Sequence, residues 1–298
     1  MMESSSSLVE ETAAIVRSVL TEAQGLAAAW KLGPLAPNPL QRQGAYLSDR
    51  AGSSTEFLDQ RPFARGDDIR HINWQAYGRT EQVIVNLYQQ ESAPLLDIIL
   101  DCTPSMHFDL EKWKHAWTVW TFFSALAIDA GARVRNFLVR GDACLEATWN
   151  QPQSTLPILF NQEDVSSLKG LLKSPLSGRS FRVFISDLLI EVGSEDILRA
   201  LSRNAGGLAI LAPFTDVEAA PDWTGNIQFK DVEGAASISH LCDNAFSKRY
   251  QKRYQAHFSA WQEAVERRSG ALCRMDVAKP FAHSIAKLFV RSGLVLPR

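Results

Sequence analysis

Asp101, Thr103 and Ser105 stand at alternate positions at the end of an apolar run, Leu95-Leu96-Asp97-Ile98-Ile99-Leu100, and outline a site for a hard cation. A buried strand that delivers a carboxylate and then two hydroxyls offers oxygen ligands carrying one negative charge. Mg²⁺ suits that set, because it takes octahedral oxygen coordination and keeps waters or an incoming ligand on its remaining positions. Mn²⁺ accepts the same oxygens. The ion would keep positive charge to spare, so a carboxylate from another protein is a natural further ligand. Such a site binds rather than cuts.

A second apolar strand, Phe181-Arg182-Val183-Phe184-Ile185, ends in Ser186-Asp187. In open parallel sheets ligands collect at the carboxyl ends of the strands where the strand order reverses. If both strands are parallel and central, Asp101 and Asp187 therefore face one crevice. A third loop is expected to contribute, and Thr155 is the candidate by position, with Ser154 or Ser180 as alternatives. The competing reading of Asp101 and Ser105 is local: an Asx turn that satisfies free backbone donors at a strand-to-helix junction.

The elements that must hold these residues follow from periodicity. Leu8, Ile15, Val19, Leu26 and Trp30 predict an amphipathic helix after a polar, unstructured start over residues 1–7. Gly33-Pro34-Leu35-Ala36-Pro37-Asn38-Pro39 then reads as a linker. Strands are predicted over 82–88, 95–100, 134–139, 144–148, 181–187, 208–211 and 271–277. Helices are predicted over 110–130, 156–172, 194–203, 246–265 (closed by Gly270) and from Pro280 to about 291. Trp113, Trp117, Trp120, Phe123 and Ala127 share one helical stripe, which predicts core. This alternation implies a three-layer α/β/α, Rossmann-like fold with a mostly parallel central sheet and an N-terminal extension. The expected division is 1–40 (helix and linker), 41–92 (an approach segment) and 93–298 (the α/β domain).

Composition excludes several classes. A net charge of −2 gives no footprint for nucleic-acid binding. Lys248-Arg249 and Lys252-Arg253 lie beside Tyr250 and Tyr254 on one helix and read as its solvated face. The four cysteines form no C-x-x-C, which argues against zinc or a disulfide framework and fits a cytoplasmic protein. No apolar run approaches the roughly 18 residues that cross a bilayer. The start Met1-Met2-Glu3 with four serines is not a secretory leader.

The loop Asp101-Cys102-Thr103-Pro104-Ser105 with Asp187 resembles the metal-ion-dependent adhesion site of von Willebrand factor A domains, whose motif is D-x-S-x-S; Thr103 stands for its first serine. Upstream, Glu56-Phe57, Arg61-Pro62-Phe63, Gly66-Asp67-Asp68, Arg70, Ile72 and Trp74 resemble the signature of domain-of-unknown-function family fifty-eight, which joins this segment to a von Willebrand A-like domain. The resemblance implies a bacterial protein, often encoded beside a MoxR-type AAA+ ATPase and taking part in chaperone-like assembly or maturation of other proteins; with the strand-end site, this makes a non-catalytic interaction domain, adaptor or partner of such an ATPase, the expected function. Many relatives carry membrane segments that this chain lacks.

In the Gly66-Asp67-Asp68 segment, Gly66 suits a left-handed turn and Asp67 or Asp68 can cap a short helical turn. With Arg61, Arg65 and Arg70 they are expected to form an ion-pair cluster, and burial of Trp74 to hold the segment down. The histidines have no ligand spacing. The rival function is a metal-dependent phosphohydrolase, since strand-terminal aspartates also serve as nucleophiles. The haloacid dehalogenase pattern needs D-x-D, however, and Thr103 occupies the place of its second acid; no phosphate-cradling glycine motif occurs either.

Overall fold

A computed structural model describes residues 2–33, 57–65, 67–88, 93–161, 167–190, 194–231 and 237–298. The chain divides into two compact units, Met1–Pro37 with Pro94–Arg298, and Asn38–Ala93.

In the larger unit, α1 (Met2–Ala27) leads into β1 (Trp30–Leu32). The smaller unit pairs β2 (Phe57–Pro62) with β3 (Ile84–Tyr88) in antiparallel fashion and carries α2 (Trp74–Thr80) between them. The larger unit then continues through β4 (Leu95–Asp101), α3 (Pro104–His107), α4 (Leu110–Asp129), β5 (Arg133–Arg140) and β6 (Ala143–Glu146). Next come α5 (Leu156–Phe160), α6 (Lys169–Leu172), β7 (Phe181–Ile185), α7 (Ser194–Ser202), β8 (Gly207–Phe214) and α8 (Asp216–Ala219). An antiparallel hairpin of β9 (Gly225–Lys230) and β10 (Ser237–Cys242) precedes α9 (Asn244–Glu266), β11 (Ala271–Asp276), α10 (Phe281–Ser284) and β12 (Val295–Pro297).

Six strands form the central sheet in the order β11-β8-β7-β4-β5-β6, parallel throughout except for β6. Side chains alternate across it, as the strand period of two requires. Leu96, Ile98 and Leu100 enter the core beneath α1 and α4, whereas Ile99, Phe184 and Ile210 enter the core beneath α7 and α9. The three-layer α/β/α arrangement is therefore as the sequence predicts.

The strand order turns at β4, with β5 on one side and β7 on the other, so their carboxyl ends frame the crevice where ligands collect in such sheets. The predicted tryptophan stripe is core: Trp113, Trp117 and Trp120 are all but fully buried. The helix α1 starts at Met2, not after residue 7, and is part of that core. Ile15, Val16, Val19 and Ala23 are buried, and Trp113 Nε1 donates to Thr12 Oγ1 at 3.1 Å. Because β1 also pairs with β12, the segment expected as an extension belongs to the same compact unit as the sheet.

Three expectations are corrected. The single helix over 156–172 is two short helices that cover opposite faces, with Leu156, Leu159 and Phe160 in one core and Leu168 and Leu171 in the other; no straight helix can serve both. The left-handed residue after α9 is Ser269 (φ 55°), not Gly270. Gly270 is required instead by close approach, since a Cβ there would meet Val265 Cγ1 at 2.9 Å and the Leu208 carbonyl at 3.1 Å. Trp74 is not buried: it is 65% exposed at the start of α2.

Gly66 lies outside the described residues, as does the linker from Pro34 onward. Around it, Arg61 makes a bidentate pair with Asp67 at 2.8 and 2.6 Å, and Asp67 also accepts from the Ala64 amide at 2.7 Å. Asp68 caps the 3₁₀ turn Ile69–His71 and is pulled down to about 2, first by the Arg70 side chain and then by the Arg70 amide. Asn73, not an aspartate, caps α2 by accepting from the Ala76 amide at 2.9 Å.

Candidate metal centre

The apolar residues of β4 place Asp101 at the carboxyl end of a fully buried central strand, and the carboxylate is itself fully buried. Its Oδ1 accepts from the Thr103 amide at 2.8 Å and from Thr103 Oγ1 at 2.7 Å. Thr103 Oγ1 lies 3.1 Å from Ser105 Oγ, so the two hydroxyls continue in a line from the carboxylate. The Asx turn considered above is thus present, and it leaves the hydroxyls gathered at one place. Pro104 starts α3 without needing an amide donor, which turns the chain sharply at this point.

The second strand end arrives as expected. Leu100 pairs with Ile185 in the parallel register, so the following residues meet across the seam, and Ser186 Oγ donates to Asp101 Oδ2 at 2.7 Å. Asp187 is also buried; its Oδ1 accepts from the Leu189 amide at 3.0 Å. Its Oδ2 accepts from Lys112 Nζ at 2.9 Å, and the same ammonium pairs with Glu218.

Lys112 is 1% exposed. Burial works against its charge, but Asp187 and Glu218 outweigh that and raise its pKa. Asp101 has no such partner: no ion pair reaches it among the described residues. Burial, and secondarily the charge of Asp187, push its pKa up to about 6. Cys102, inside the motif, is fully buried with its thiol pKa pushed well up by burial, so it is an inert core residue.

The structure thus brings Asp101, Thr103, Ser105 and Asp187 to one pair of strand ends. Thr155 ends the 3₁₀ turn Pro152–Ser154, and among the described residues no hydrogen bond joins its hydroxyl to the cluster. Neither alternative replaces it. Ser154 Oγ donates to the Gln151 carbonyl at 3.3 Å, and Ser180 Oγ donates at 2.7 Å to Asp97, near the amino end of β4.

Ser186, Lys112 and Glu218 escaped the sequence reading. Ser186 was legible as the alternate-side neighbour of Asp187. Lys112 carried a signal too, since it shares a helical arc with Ala116, Val119 and Phe123, where an unpaired lysine would be costly. Glu218 is held in turn by a capping box, its Oε2 accepting from the Thr215 amide at 2.9 Å.

Among the described residues no group of three or more His, Cys, Asp or Glu could hold a metal. A buried carboxylate without a counter-charge beside three hydroxyls, from Thr103, Ser105 and Ser186, fits a hard oxygen-seeking cation.

A family model described as "Protein of unknown function DUF58" matches residues 59–260, and the chain belongs to that family. No relative is found among curated proteins. Two solved structures are similar at low identity. The conserved hypothetical protein BatB from Bacteroides thetaiotaomicron is 15% identical with a TM-score of 0.35, over 65% of this chain and 95% of that one. An aerotolerance-related membrane protein from Bacteroides fragilis NCTC 9343, with multiple mutations to serines, is 14% identical with a TM-score of 0.30, over 59% of this chain and 98% of that one. Among the described residues of the present chain, no helix is long and apolar enough to cross a membrane.

Proposed function

We propose that the chain is a non-catalytic, Mg²⁺-dependent protein-interaction domain, an adaptor between an AAA+ ATPase of the MoxR type and client proteins undergoing assembly or maturation. The observation that supports this reading is the Asp101 carboxylate: fully buried at the strand-order switch, without a cationic partner among the described residues, and lined up with the Thr103 and Ser105 hydroxyls. Asp101, Thr103 and Ser105 would hold the ion. The ion supplies a Lewis-acidic contact for a partner's carboxylate. The ATPase and client come from the family resemblance; the acidic nature of the contact comes from the charge count at the site.

The test is affinity capture from native lysate with Mg²⁺ and with EDTA, using the wild-type chain and Asp101→Ala. Recovery of an AAA+ ATPase only with Mg²⁺ and only by the wild type is the expected result. Equal recovery by the variant, or in EDTA, would remove metal dependence from the account.

A further inference from the structure

The central sheet ends in two edge strands that differ in what lies beside them. Against β6 the chain lays α6, where Gly170 donates to the Gly141 carbonyl at 2.9 Å and approaches so closely that a Cβ would meet the Ala143 main chain at 2.5 Å. The outer edge of β11 is unpaired among the described residues. The Val277 amide donates to the Phe214 carbonyl at 3.1 Å, and peptide groups alternate along a strand, so Cys273 and Met275 bond to β8 while Leu272, Arg274 and Asp276 turn their N–H and C=O groups outward. No described group bonds the Leu272 or Arg274 main chain on that side. Such a row of free donors and acceptors is a template for another strand. The devices that usually block it are absent: Ala271-Leu272-Cys273-Arg274-Met275-Asp276 has no proline or lysine, and its pairing with β8 runs without a bulge. The same three residues direct their side chains to the α9 side of the sheet. There Arg274 lies over the rings of Phe258 at 3.8 Å and Phe214 at 4.3 Å, and its Nη2 donates to the Tyr254 hydroxyl at 2.7 Å. Among the described residues no carboxylate pairs with it, and its Nε is buried without a partner. Beside the guanidinium, a cavity of about 440 Å³ opens along α9, lined by Gln255, Phe258, Ser259, Gln262 and Glu263.

We propose that β11 is a dimer edge: two copies of this chain pair their β11 strands antiparallel about a two-fold axis at Met275, which joins their sheets into one. Backbone alternation and charge fix that register. Residues that turn their peptide groups outward must oppose one another, so Arg274 meets Leu272, Arg274 or Asp276 of the second copy. Opposite Arg274 it would meet a like charge, and opposite Leu272 it would gain no anion. Opposite Asp276 it gains the carboxylate it lacks, and the two-fold axis makes that pair twice. Asp276 keeps its bonds to the Ala278 amide at 3.1 Å and to Lys279 at 2.6 Å, since a carboxylate accepts several donors. The cavity along α9 is the room for the second copy's strand and its side chains.

Sedimentation velocity of the full chain over a wide range of concentration, combined with amide hydrogen exchange at the two ends of that range, tests this. The expected result is a monomer–dimer equilibrium in which the Leu272, Arg274 and Asp276 amides exchange about ten-fold or more slowly in the dimer. The Cys273 and Met275 amides, already bonded to β8, should be protected at every concentration. Asp276→Arg places two like-charge pairs across the seam and should weaken the dimer about ten-fold or more. The charge-swapped Arg274→Glu/Asp276→Arg restores opposite charges and should return to within about three-fold of wild type. A chain that stays monomeric throughout overturns the proposal. So does a dimer whose three outward amides exchange no more slowly than in the monomer, or an Asp276→Arg variant that dimerises as well as wild type. Should the charge-swapped variant fail to fold by circular dichroism, Asp276→Arg and the wild-type exchange pattern still decide.

Discussion

Ser186 Oγ and Asp101 Oδ2 are 2.7 Å apart across the seam between β4 and β7, and this bond is what makes one site of two strand ends. Both residues are fully buried, so the carboxylate has no water to turn to if the hydroxyl is removed. Ser186→Ala should therefore cost about 2 kcal/mol of stability, in the range for a buried hydrogen bond to a charged group. Urea unfolding monitored by tryptophan fluorescence would show it as a lower midpoint at unchanged slope. A shift too small to measure would mean that the seam is held by the strand ladder alone.

The placement of α1 gives a second prediction. Ile15 is buried against the tryptophan stripe, as is Val19, and Thr12 satisfies the indole of Trp113. Ile15→Ala should cost about 2–4 kcal/mol, the usual range for such a truncation in a core. An extension that merely preceded the domain would tolerate the change at almost no cost. Equilibrium denaturation of the single variant distinguishes the two cases.

How far these relationships can be read in advance depends on their sequence separation. The ends of β4 and β7 were legible because each is an apolar run that stops at an acid, and the stripe of Trp113, Trp117 and Trp120 because a helix repeats its face every few residues. Lys112 with Glu218 was not legible, as 106 positions separate them along the chain. Thr155 was chosen by its order along the chain, and order alone does not say where a hydroxyl lies. The β9–β10 hairpin went unread because its residues are mostly exposed, so no buried face imposes a clean alternation. Pro157 in the first turn of α5 is compatible with a long helix; only the two opposed cores show why the helix ends at Phe160.

His107, next to the cluster at the end of α3, should make stability depend on pH. Its Nε2 lies 3.1 Å from Arg140 Nη1, a group that can only donate, so the ring accepts there and is neutral. Burial first, and the Arg140 charge second, lower its pKa from 6.5 to about 4. The unfolded chain thus takes up a proton before the folded one as pH falls. This contribution to stability is complete above pH 6.5, declines as the pH drops and levels off below about 4. Its full size is on the order of 3 kcal/mol. His115, also lowered by burial, acts in the same direction. Asp101, whose pKa burial raises to about 6, acts in the opposite direction in both proteins, so unfolding free energies collected from pH 7.5 to 4.5 should fall more steeply, or rise less, for wild type than for His107→Gln; parallel curves would refute the assignment.

Trp74 begins α2 in the smaller unit with 65% of its surface exposed, and its ring meets Tyr77 edge-on at 6.2 Å between centroids. The polar network around it is already complete without the indole. Asn73 caps the helix, Asp68 caps the preceding turn, and Asp67 holds Arg61 and the Ala64 amide. An exposed side chain outside such a network contributes little to the fold, so Trp74→Ser should change stability by no more than about 0.5 kcal/mol. The melting curve of the purified variant measures this directly. A loss of several degrees would show that the indole is covered in solution. An unchanged curve combined with weaker recovery of any AAA+ ATPase that the wild-type chain captures from lysate would instead place Trp74 in a contact with that ATPase.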